Sequence, residues 1–264
     1  MSERRDRPRG RDHREPRARE PRTRDLGQQV EGRRAVRELL VAGRRRVREV
    51  WVAGEVEEIE HLAEEAGARV RHVPPDQLAG RARTDAPQGV VAMAAPLQPA
   101  DVDDLLADPG AFLVAVDGVT DPQNLGAIVR SAEASGATGI VLPKHRAVGV
   151  TPTVAKTAAG AIEYLPIAFV SGVAGALERA ARTRVWSIGL DAGGDTSIFD
   201  VPVADQPLVL VLGAEGPGLS RLARARCDVL ASIPMRGNLE SLNVSAAAAI
   251  ACTEIGRRRE NPRP

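Results

Sequence analysis

Polar side chains with the potential for chemistry occur on three glycine-containing loops that each follow a buried strand. The first loop, DGVTDPQNLGAIVR, spans residues 117–130 and contains the turn-favouring pair Asp121-Pro122. Asn124 follows at a position where a side chain can cap the first free N–H groups of a helix. Arg130 lies about two turns into that helix, at the edge of its apolar stripe. Taken alone, the loop also fits a capped helix with a solvated arginine.

A single glutamate stands out in the second loop, GAEGPGLS at residues 213–220, which directly follows the apolar run PLVLVL. Its three glycines and one proline would let the backbone pass close to a ligand or to another loop. The loop matches neither the dinucleotide-binding pattern GxGxxG nor the phosphate-binding pattern GxxxxGK(S/T). Glu215 is the only charge in a glycine-lined loop after a buried strand, so it indicates a functional site without naming the ligand.

The third loop, IPMRGNLESLNVS at residues 233–245, runs into an alanine-rich helix and is dense in short polar side chains. Asn238, Ser241, Asn243 and Ser245 all lie at or near the start of that helix. A helix cap needs only one such residue. The surplus therefore predicts contact with a ligand or a tight backbone crossing.

The three loops are joined by alternating apolar runs and helical patterns, which predict an α/β fold. Strands are expected at residues 112–116, 139–142, 165–169, 185–190, 208–212 and 230–233. Helices are expected at residues 125–135, 151–159, 173–181 and 245–255. Such alternation implies parallel strands with helices on both faces of the sheet. Open sheets of this kind place ligands at the carboxyl ends of the strands, where all three loops lie.

A smaller α/β module is predicted ahead of this segment. Its first helix places Ala35, Val36, Leu39 and Leu40 on one face. Its other expected elements are a strand at residues 50–52, a helix at 56–66 ending at Gly67, a strand at 69–73, a short helix from Asp76 and a strand at 90–93. This order is typical of a compact βαβ-type unit.

The chain has 264 residues, enough for one large domain or two small ones. We predict a tail at 1–25, a front domain at 26–95, a linker at 96–110, a second domain at 111–258 and a tail at 259–264. The linker holds three prolines and four aspartates, with room for one or two helical turns at most.

The predicted N-terminal tail concentrates basic charge in a chain that is almost neutral overall. It holds ten arginines against six acids, whereas the whole chain has 36 basic and 35 acidic residues. Because it has no apolar surface to bury, we expect this tail to be disordered. It is either an electrostatic arm for an anionic polymer or a solvated tail without a dedicated role.

Composition argues against several classes of protein. Cys227 and Cys252 are too few for a disulfide framework and lack CxxC spacing, so we interpret them as small buried hydrophobes. The four histidines show no ligand spacing, and no metal is expected. No apolar run approaches the ~20 residues that span a bilayer, and the first 25 residues hold no apolar stretch, which argues against membrane insertion and export. The expected location is the cytoplasm.

Taken together and in this order, the three loops resemble the sequence motifs of the SpoU (TrmH-like) family of RNA 2′-O-ribose methyltransferases, part of the SPOUT superfamily. The resemblance covers about residues 112–257. Residues 30–95 look like the L30e-like RNA-binding domain of the subgroup that acts on a guanosine of 23S ribosomal RNA. The resemblance implies a catalytic domain whose C-terminal chain threads through itself in a trefoil knot, an exception to the usual rule of unthreaded connections.

The resemblance also implies a binding site for S-adenosyl-L-methionine on the second and third loops. The contacts implied by the motifs are Leu212, Gly213, Ile233, Pro234, Met235 and Leu242. Their apolar side chains would enclose adenine and the methionine chain. Family members are homodimers with the knots at the interface, so the active site could draw residues from both subunits.

For catalysis, the resemblance implies roles for Asn124, Arg130, Glu215, Ser241 and Asn243. Arg130 corresponds to a residue cast as the general base in this family, yet a guanidinium with a pKa above about 12 stays charged. We therefore expect Arg130 to hold a phosphate and to stabilise developing alkoxide charge. Asn243 or Glu215 would orient the ribose hydroxyl.

RNA is the expected partner, either 23S ribosomal RNA or a ribosome assembly intermediate. A basic cluster in the front module, formed by Arg44, Arg45, Arg46 and Arg48, is a candidate phosphate-contact surface beside Arg130, or else an exposed turn. Only 2% of the residues are aromatic, which favours recognition of shape, phosphates and 2′-hydroxyls over base stacking.

Other substrates and classes stay open at this point. A transfer RNA, or a ribosomal site whose methylation gives antibiotic resistance, would be served by the same transfer motifs. A noncatalytic RNA-binding chaperone of this fold would be expected to lack Arg130 or Asn243, and both are present. A nicotinamide oxidoreductase would need a glycine-rich turn after the first strand, which Asp117-Gly118 does not supply.

Overall fold

Two separate β-sheets form the framework of the computed structural model, which describes residues 26–145 and 148–260. The front part of the chain supplies a four-stranded sheet, and the rest supplies a seven-stranded one. The predicted tail at residues 1–25 lies outside the described residues, as do residues 261–264. Arg259 and Glu260, assigned to the second tail from sequence, belong instead to the last helix.

The front sheet is mixed. Its strands are β1 (Gln29–Glu31), β2 (Val47–Val52), β3 (Arg69–His72) and β4 (Val90–Ala94), and its helices are α1 (Arg33–Ala42), α2 (Glu57–Glu65) and α3 (Pro75–Ala79). The strand order is β1-β4-β2-β3, with only β2 and β3 parallel. Helix α1 buries Ala35, Val36, Leu39 and Leu40, the face expected from its spacing. Strand β1 was not predicted, because two of its three buried residues, Gln29 and Glu31, are polar.

The predicted linker is packed against the second sheet. It contains the short helix α4 (Val102–Leu106), whose Val102 and Leu106 are buried. Ahead of this helix, Ala100 forms a parallel bridge with Ala168. The segment between the two sheets therefore has a fixed course along the protein surface.

The second sheet is parallel throughout and confirms the predicted α/β fold. Its strands are β5 (Phe112–Asp117), β6 (Gly139–Pro143), β7 (Ile167–Val170), β8 (Trp186–Leu190), β9 (Thr196–Ser197), β10 (Leu208–Gly213) and β11 (Val229–Ser232). Its helices are α5 (Pro122–Ala134), α6 (Pro152–Thr157), α7 (Val173–Arg182), α8 (Arg221–Arg226) and α9 (Val244–Glu260). The strand order is β7-β6-β5-β10-β8-β11-β9. The short elements β9 and α8 were not predicted.

Strand β5 separates two layers of core. Phe112, Val114 and Val116 belong to the cluster that also contains apolar residues of α5 and α9, whereas Leu113 and Ala115 belong to the cluster under α7. Burial on both faces explains why this strand is a continuous apolar run. Since parallel strands end at one edge of a sheet, the loops after β5, β8, β10 and β11 converge there.

A buried ion pair joins the two sheets. Arg45 donates to both carboxylate oxygens of Glu163, at 2.9 Å from Nε to Oε2 and 2.5 Å from Nη2 to Oε1. Its Nη1 donates to the carbonyl oxygens of Gly27 and Ala95, both at 2.8 Å. The side chains of Arg45 and Glu163 are only 4% and 1% exposed. Burial raises the pKa of Glu163, while the hydrogen bonds and charge of Arg45 act to lower it.

This burial removes Arg45 from the basic cluster that was expected to contact RNA. Its guanidinium is enclosed by protein acceptors, so it cannot reach a phosphate. Arg44 is exposed, but its Nη1 donates to the carbonyl oxygen of Tyr164 at 2.8 Å, across the same junction. Arg46 and Arg48 are exposed and are the two members of the cluster with no role in this junction.

Replacing Arg45 with methionine would leave the Glu163 carboxylate buried without its partner. We expect R45M to lower the free energy of unfolding by about 3–5 kcal/mol, the usual loss when one member of a buried pair is removed. Urea unfolding followed by circular dichroism measures this, with the exposed neighbour change Arg46→Met as the control. Adding Glu163→Leu to R45M should recover part of the loss, because no unpaired charge then stays buried. Equal stability of R45M and the wild type would contradict this role for Arg45.

Candidate active site

The loop after β10 folds back on its own strand through glycines. The backbone N–H groups of Ala214 and Gly218 each donate to the other residue's carbonyl oxygen, at 3.0 and 2.9 Å. Gly216 and Gly218 have left-handed φ values of 79° and 69°. A Cβ on Gly213 would lie 2.2 Å from the carbonyl carbon of Gly218. This tight turn carries Glu215, the charge singled out from the sequence.

Three side chains from the three loops meet in one hydrogen-bonded cluster. Asn124 Nδ2 donates to Glu215 Oε1 at 2.9 Å, and Asn243 Nδ2 donates to the same oxygen at 2.6 Å. Asn243 Nδ2 also donates to Asn124 Oδ1 at 3.1 Å. On its other side, Asn243 Oδ1 accepts from the backbone N–H and the hydroxyl of Ser245, at 2.8 and 2.6 Å. The structure thus brings together three of the five residues expected to act in catalysis.

The cluster leaves one carboxylate oxygen available. Asn243 uses both hydrogens of Nδ2 and its Oδ1 within the protein, and Asn124 is buried. Glu215 is exposed, and its Oε2 has no hydrogen-bond partner among the residues that the structure describes. A carboxylate oxygen in this position can accept a hydrogen bond from a ligand hydroxyl.

Asn124 does not cap its helix, so that part of the sequence interpretation was wrong. Helix α5 begins at Pro122, and the capping side chain is Asp121, whose Oδ1 accepts from the Gln123 N–H at 3.0 Å. Asn124 lies in the first turn of the helix. Because the aspartate meets the capping requirement, the asparagine amide is available for Glu215.

An apolar cleft of about 300 Å³ opens beside the cluster, at the carboxyl ends of β8, β10 and β11. Five of the six residues expected to bind the cofactor line it, namely Leu212, Gly213, Ile233, Met235 and Leu242. Ser241, expected to act in catalysis, lines it as well. Pro234 is not part of the lining, although both of its chain neighbours are.

One wall of the cleft was missed in the sequence. Leu190, Asp191 and Ala192, which end and follow β8, line it together with Glu240. The signal was present, since the predicted strand at 185–190 is followed by the polar, glycine-rich run DAGGD. It is the same pattern that identified the other loops.

Arg130 lies apart from this cleft. It follows Asn124 by six positions on α5, which turns it about 240° around the helix axis. Arg130 lines a different pocket, between α5 and α6 on one side and the front module on the other, and that pocket shares no lining residue with the cleft. Arg130 is exposed and forms no ion pair or hydrogen bond with a described residue.

The cysteines show no sign of a reactive thiol. Burial raises the pKa of Cys252 to about 12, and burial together with the charges of Asp228 and Asp117 raises the pKa of Cys227 to about 12. Across residues 26–145 and 148–260, no group of three His, Cys, Asp or Glu side chains is arranged to hold a metal ion. Over the same ranges, no helix combines the length and the apolar character needed to cross a membrane.

A methyl group at position 213 should disrupt the turn that carries Glu215. The Cβ of G213A would overlap the backbone at Gly218, so we expect a loss of about 1–3 kcal/mol in the free energy of unfolding, the usual cost of overpacking. Gly175→Ala is the matched control, because Gly175 is exposed in α7 and its Cβ would have no atom within 4 Å. It should stabilise the helix slightly. Differential scanning calorimetry measures the stability of both variants. A G213A protein that melts at the same temperature as the wild type would contradict the close contact.

Comparison with known sequences supports a specific family. The SpoU rRNA Methylase family matches residues 111–253, and the family described as RNA 2′-O ribose methyltransferase substrate binding matches residues 29–100. An uncharacterized tRNA/rRNA methyltransferase of Mycobacterium ulcerans is 43% identical over 201 residues, which cover 75% of this chain and 64% of that protein. The 23S rRNA (guanosine-2′-O-)-methyltransferase RlmB of Ralstonia nicotianae is 44% identical over 200 residues, covering 75% and 80% of the two chains.

Solved structures show the same fold over both sheets. The SpoU methyltransferase AviRb from Streptomyces viridochromogenes, in complex with the cofactor AdoMet, superimposes with a TM-score of 0.75 at 29% identity. The match covers 88% of this chain and 90% of AviRb.

The parallel sheet and its cleft define an α/β protein of the SPOUT methyltransferase class. More particularly, the chain belongs to the SpoU rRNA methylase family. The resemblance stated from the three loops is thereby confirmed.

Proposed function

We propose that this protein transfers a methyl group from S-adenosyl-L-methionine to the 2′-oxygen of a ribose in RNA. The observation that carries the proposal is the cluster of Asn124, Glu215 and Asn243 at the rim of an apolar cleft, with one carboxylate oxygen left for a hydroxyl. Membership of the SpoU family supports methyl transfer. The match of the front module to a 2′-O ribose methyltransferase substrate-binding family supports the ribose as acceptor.

The side chains that line the cleft suit the chemistry of the cofactor. Leu212, Ile233, Met235 and Leu242 would contact adenine and the methionine chain, and Gly213 would let the cofactor approach the backbone. AviRb, which shares the fold, has been crystallised with AdoMet. The bound cofactor would supply an electrophilic methyl group on its sulfonium.

In this proposal Glu215 orients the ribose hydroxyl. Asn124 and Asn243 both donate to Oε1 and so fix the carboxylate, which leaves Oε2 to accept the hydrogen of the hydroxyl. Asn243, the alternative considered from the sequence, has no polar atom left for this task. In the proposed reaction Oε2 would also take up the proton when the oxygen becomes methylated.

Two further residues have supporting roles. Ser241 lines the cleft and would contact the cofactor or the ribose. Arg130 would hold a phosphate, because a planar guanidinium can donate two parallel hydrogen bonds to phosphate oxygens. Since Arg130 lies outside the cleft, its proposed contact is with the RNA backbone near the methylated nucleotide.

Glu215→Gln tests the role of the free oxygen. Glutamine can keep the oxygen that accepts from both asparagines, but it places an amide donor where Oε2 was. We therefore expect kcat to fall by about 100-fold or more, with the Kd for S-adenosyl-L-methionine unchanged. Calorimetric titration of the cofactor and a methyl-transfer assay on ribosomal RNA give the two values. A Glu215→Gln enzyme with near-normal kcat would exclude the carboxylate as the orienting group.

The substrate we propose is a guanosine of 23S ribosomal RNA, free or within a ribosome assembly intermediate. The similarity to RlmB of Ralstonia nicotianae supports this choice. The name of the Mycobacterium ulcerans relative keeps transfer RNA as a second candidate.

Mapping of 2′-O-methyl sites across total RNA, in a strain lacking the gene and in its parent, tests the substrate. We expect one site to disappear from 23S ribosomal RNA. Loss of a transfer RNA site alone would redirect the proposal to that RNA. An unchanged map, combined with RNA binding by the purified protein, would favour a noncatalytic chaperone.

Three further properties expected from the sequence and from the family resemblance are part of the proposal. We propose that the protein acts as a homodimer, that its C-terminal chain forms the trefoil knot, and that it works in the cytoplasm. Leu239, on the same loop as the cleft-lining Met235 and Leu242, is 75% exposed, which supports an association surface beside the cleft.

A further inference from the structure

A basic groove runs between the front module and the second module, and Arg130 lies in it. Its volume is about 490 Å³, and its walls come from α1 and residues 83–88 of the front module and from α5 and α6 of the second. Four cationic side chains line it, and the only acidic one is Asp85. They are Arg34, Arg83, Arg130 and Lys156.

Two of these cations have no ion-pair partner among the residues that the structure describes. Arg34 on α1 and Arg130 on α5 come from opposite walls, both are exposed, and neither forms an ion pair or hydrogen bond with a described residue. Thr84 and Thr153 and the amide of Gln123 add neutral hydrogen-bonding groups to the same lining. A polyanion with hydroxyl groups along it matches this surface.

The front wall of the groove is held in place by a buried carboxylate. Glu31 is 0% exposed, and it accepts hydrogen bonds from the N–H of Arg83 at 2.7 Å and of Thr84 at 3.0 Å, and from the Thr84 hydroxyl at 2.5 Å. Lys156 Nζ donates to the carbonyl oxygen of Ala86, which ties this wall to α6. The groove therefore has its shape before any ligand arrives, which lowers the entropy cost of binding.

The opposite wall is fixed to the candidate active site. A Cβ on Gly126 of α5 would lie 2.6 Å from the Thr157 Cβ, so α5 and α6 pack with almost no space between them. Gln123 lines the groove, and the next residue, Asn124, binds Glu215. The groove and the hydrogen-bonded cluster are therefore connected through consecutive residues of α5.

We infer that this groove binds the sugar-phosphate backbone of the substrate RNA on the strand that flanks the methylated nucleotide. The inference rests on the proposed function and adds a location to it: the two modules grip one stretch of backbone between them. Phosphates would lie between Arg34 and Arg130, and Thr153 and Gln123 would contact phosphate or 2′-hydroxyl oxygens. Thr84 gives its hydroxyl hydrogen to Glu31, so its oxygen could only accept from a 2′-hydroxyl. None of the groove's lining residues is aromatic, so contact here would be largely independent of base sequence.

Arg34→Ala tests the inference, with Arg69→Ala as the matched control. Arg69 is also an exposed arginine of the front module, but it lies on the edge strand β3 and outside the groove. The probe is transcribed 23S ribosomal RNA, bound to wild-type or variant protein in filter-binding assays over a range of KCl concentrations. Cofactor affinity is measured on each protein by calorimetry.

We expect Arg34→Ala to raise the Kd for RNA about fivefold or more and to reduce the slope of log K against log salt by about 1, the change for one lost phosphate contact. Arg69→Ala should match the wild type, and the cofactor Kd should be equal in all three proteins. Arg34→Lys keeps the charge and should restore most of the salt slope.

A wild-type Kd and salt slope in Arg34→Ala would overturn the inference. The binding assay needs no methyl transfer, so its outcome is separate from that of the proposed function. If the wild type binds but transfers no methyl group while Arg34→Ala still loses affinity, the groove stands and the catalytic proposal fails. If Arg34→Ala lowers affinity only together with its melting temperature, and Arg34→Lys does not rescue it, the effect is on folding and the inference fails.

Discussion

The contact of backbone against backbone at Gly213 and Gly218 is the constraint on which the site depends. Because no side chain separates the two residues, the loop after β10 can turn back at once and carry Glu215 to the asparagines of the other two loops. The same turn forms part of the cleft wall. A methyl side chain at position 213 would therefore displace both the Glu215 carboxylate and the proposed cofactor surface.

The parallel sheet turns distant segments into neighbours. Asn124, Glu215 and Asn243 are separated by 91 and 28 residues, yet the loops that hold them leave the same edge of the sheet. The buried pair of Arg45 and Glu163 then joins the front module to the part of the chain that carries this edge. Polar groups of the site are thus held by hydrogen bonds within the protein itself.

Much of this could be predicted from the sequence, because apolar spacing and glycine-rich loops report local requirements. The buried face of α1 and the strands around β5 and β10 follow from periodicity alone. The presence of Gly213, Ile233 and Leu242 in one cleft was implied by the resemblance to the SpoU motifs. What could not be predicted depends on distant partners. Nothing in the local sequence shows which of the four neighbouring arginines is buried, because the partner of Arg45 is Glu163, 118 residues away. The cap at Asp121, by contrast, could have been predicted, because an aspartate directly before a proline that begins a helix is a sequence signal for an N-cap.

The buried pair of Arg45 and Glu163 limits how hybrid proteins can be built from relatives of this chain. An obvious recombination point lies between the two family matches, at residues 101–110. A hybrid joined there would take the residues at positions 45 and 163 from different parent proteins. If the grafted front module has no arginine at position 45, the Glu163 carboxylate stays buried without a partner, even when the grafted module folds correctly. Exchange of the front module among relatives therefore requires that the residues at positions 45 and 163 come from the same parent, which reduces the number of chimaeras that can fold.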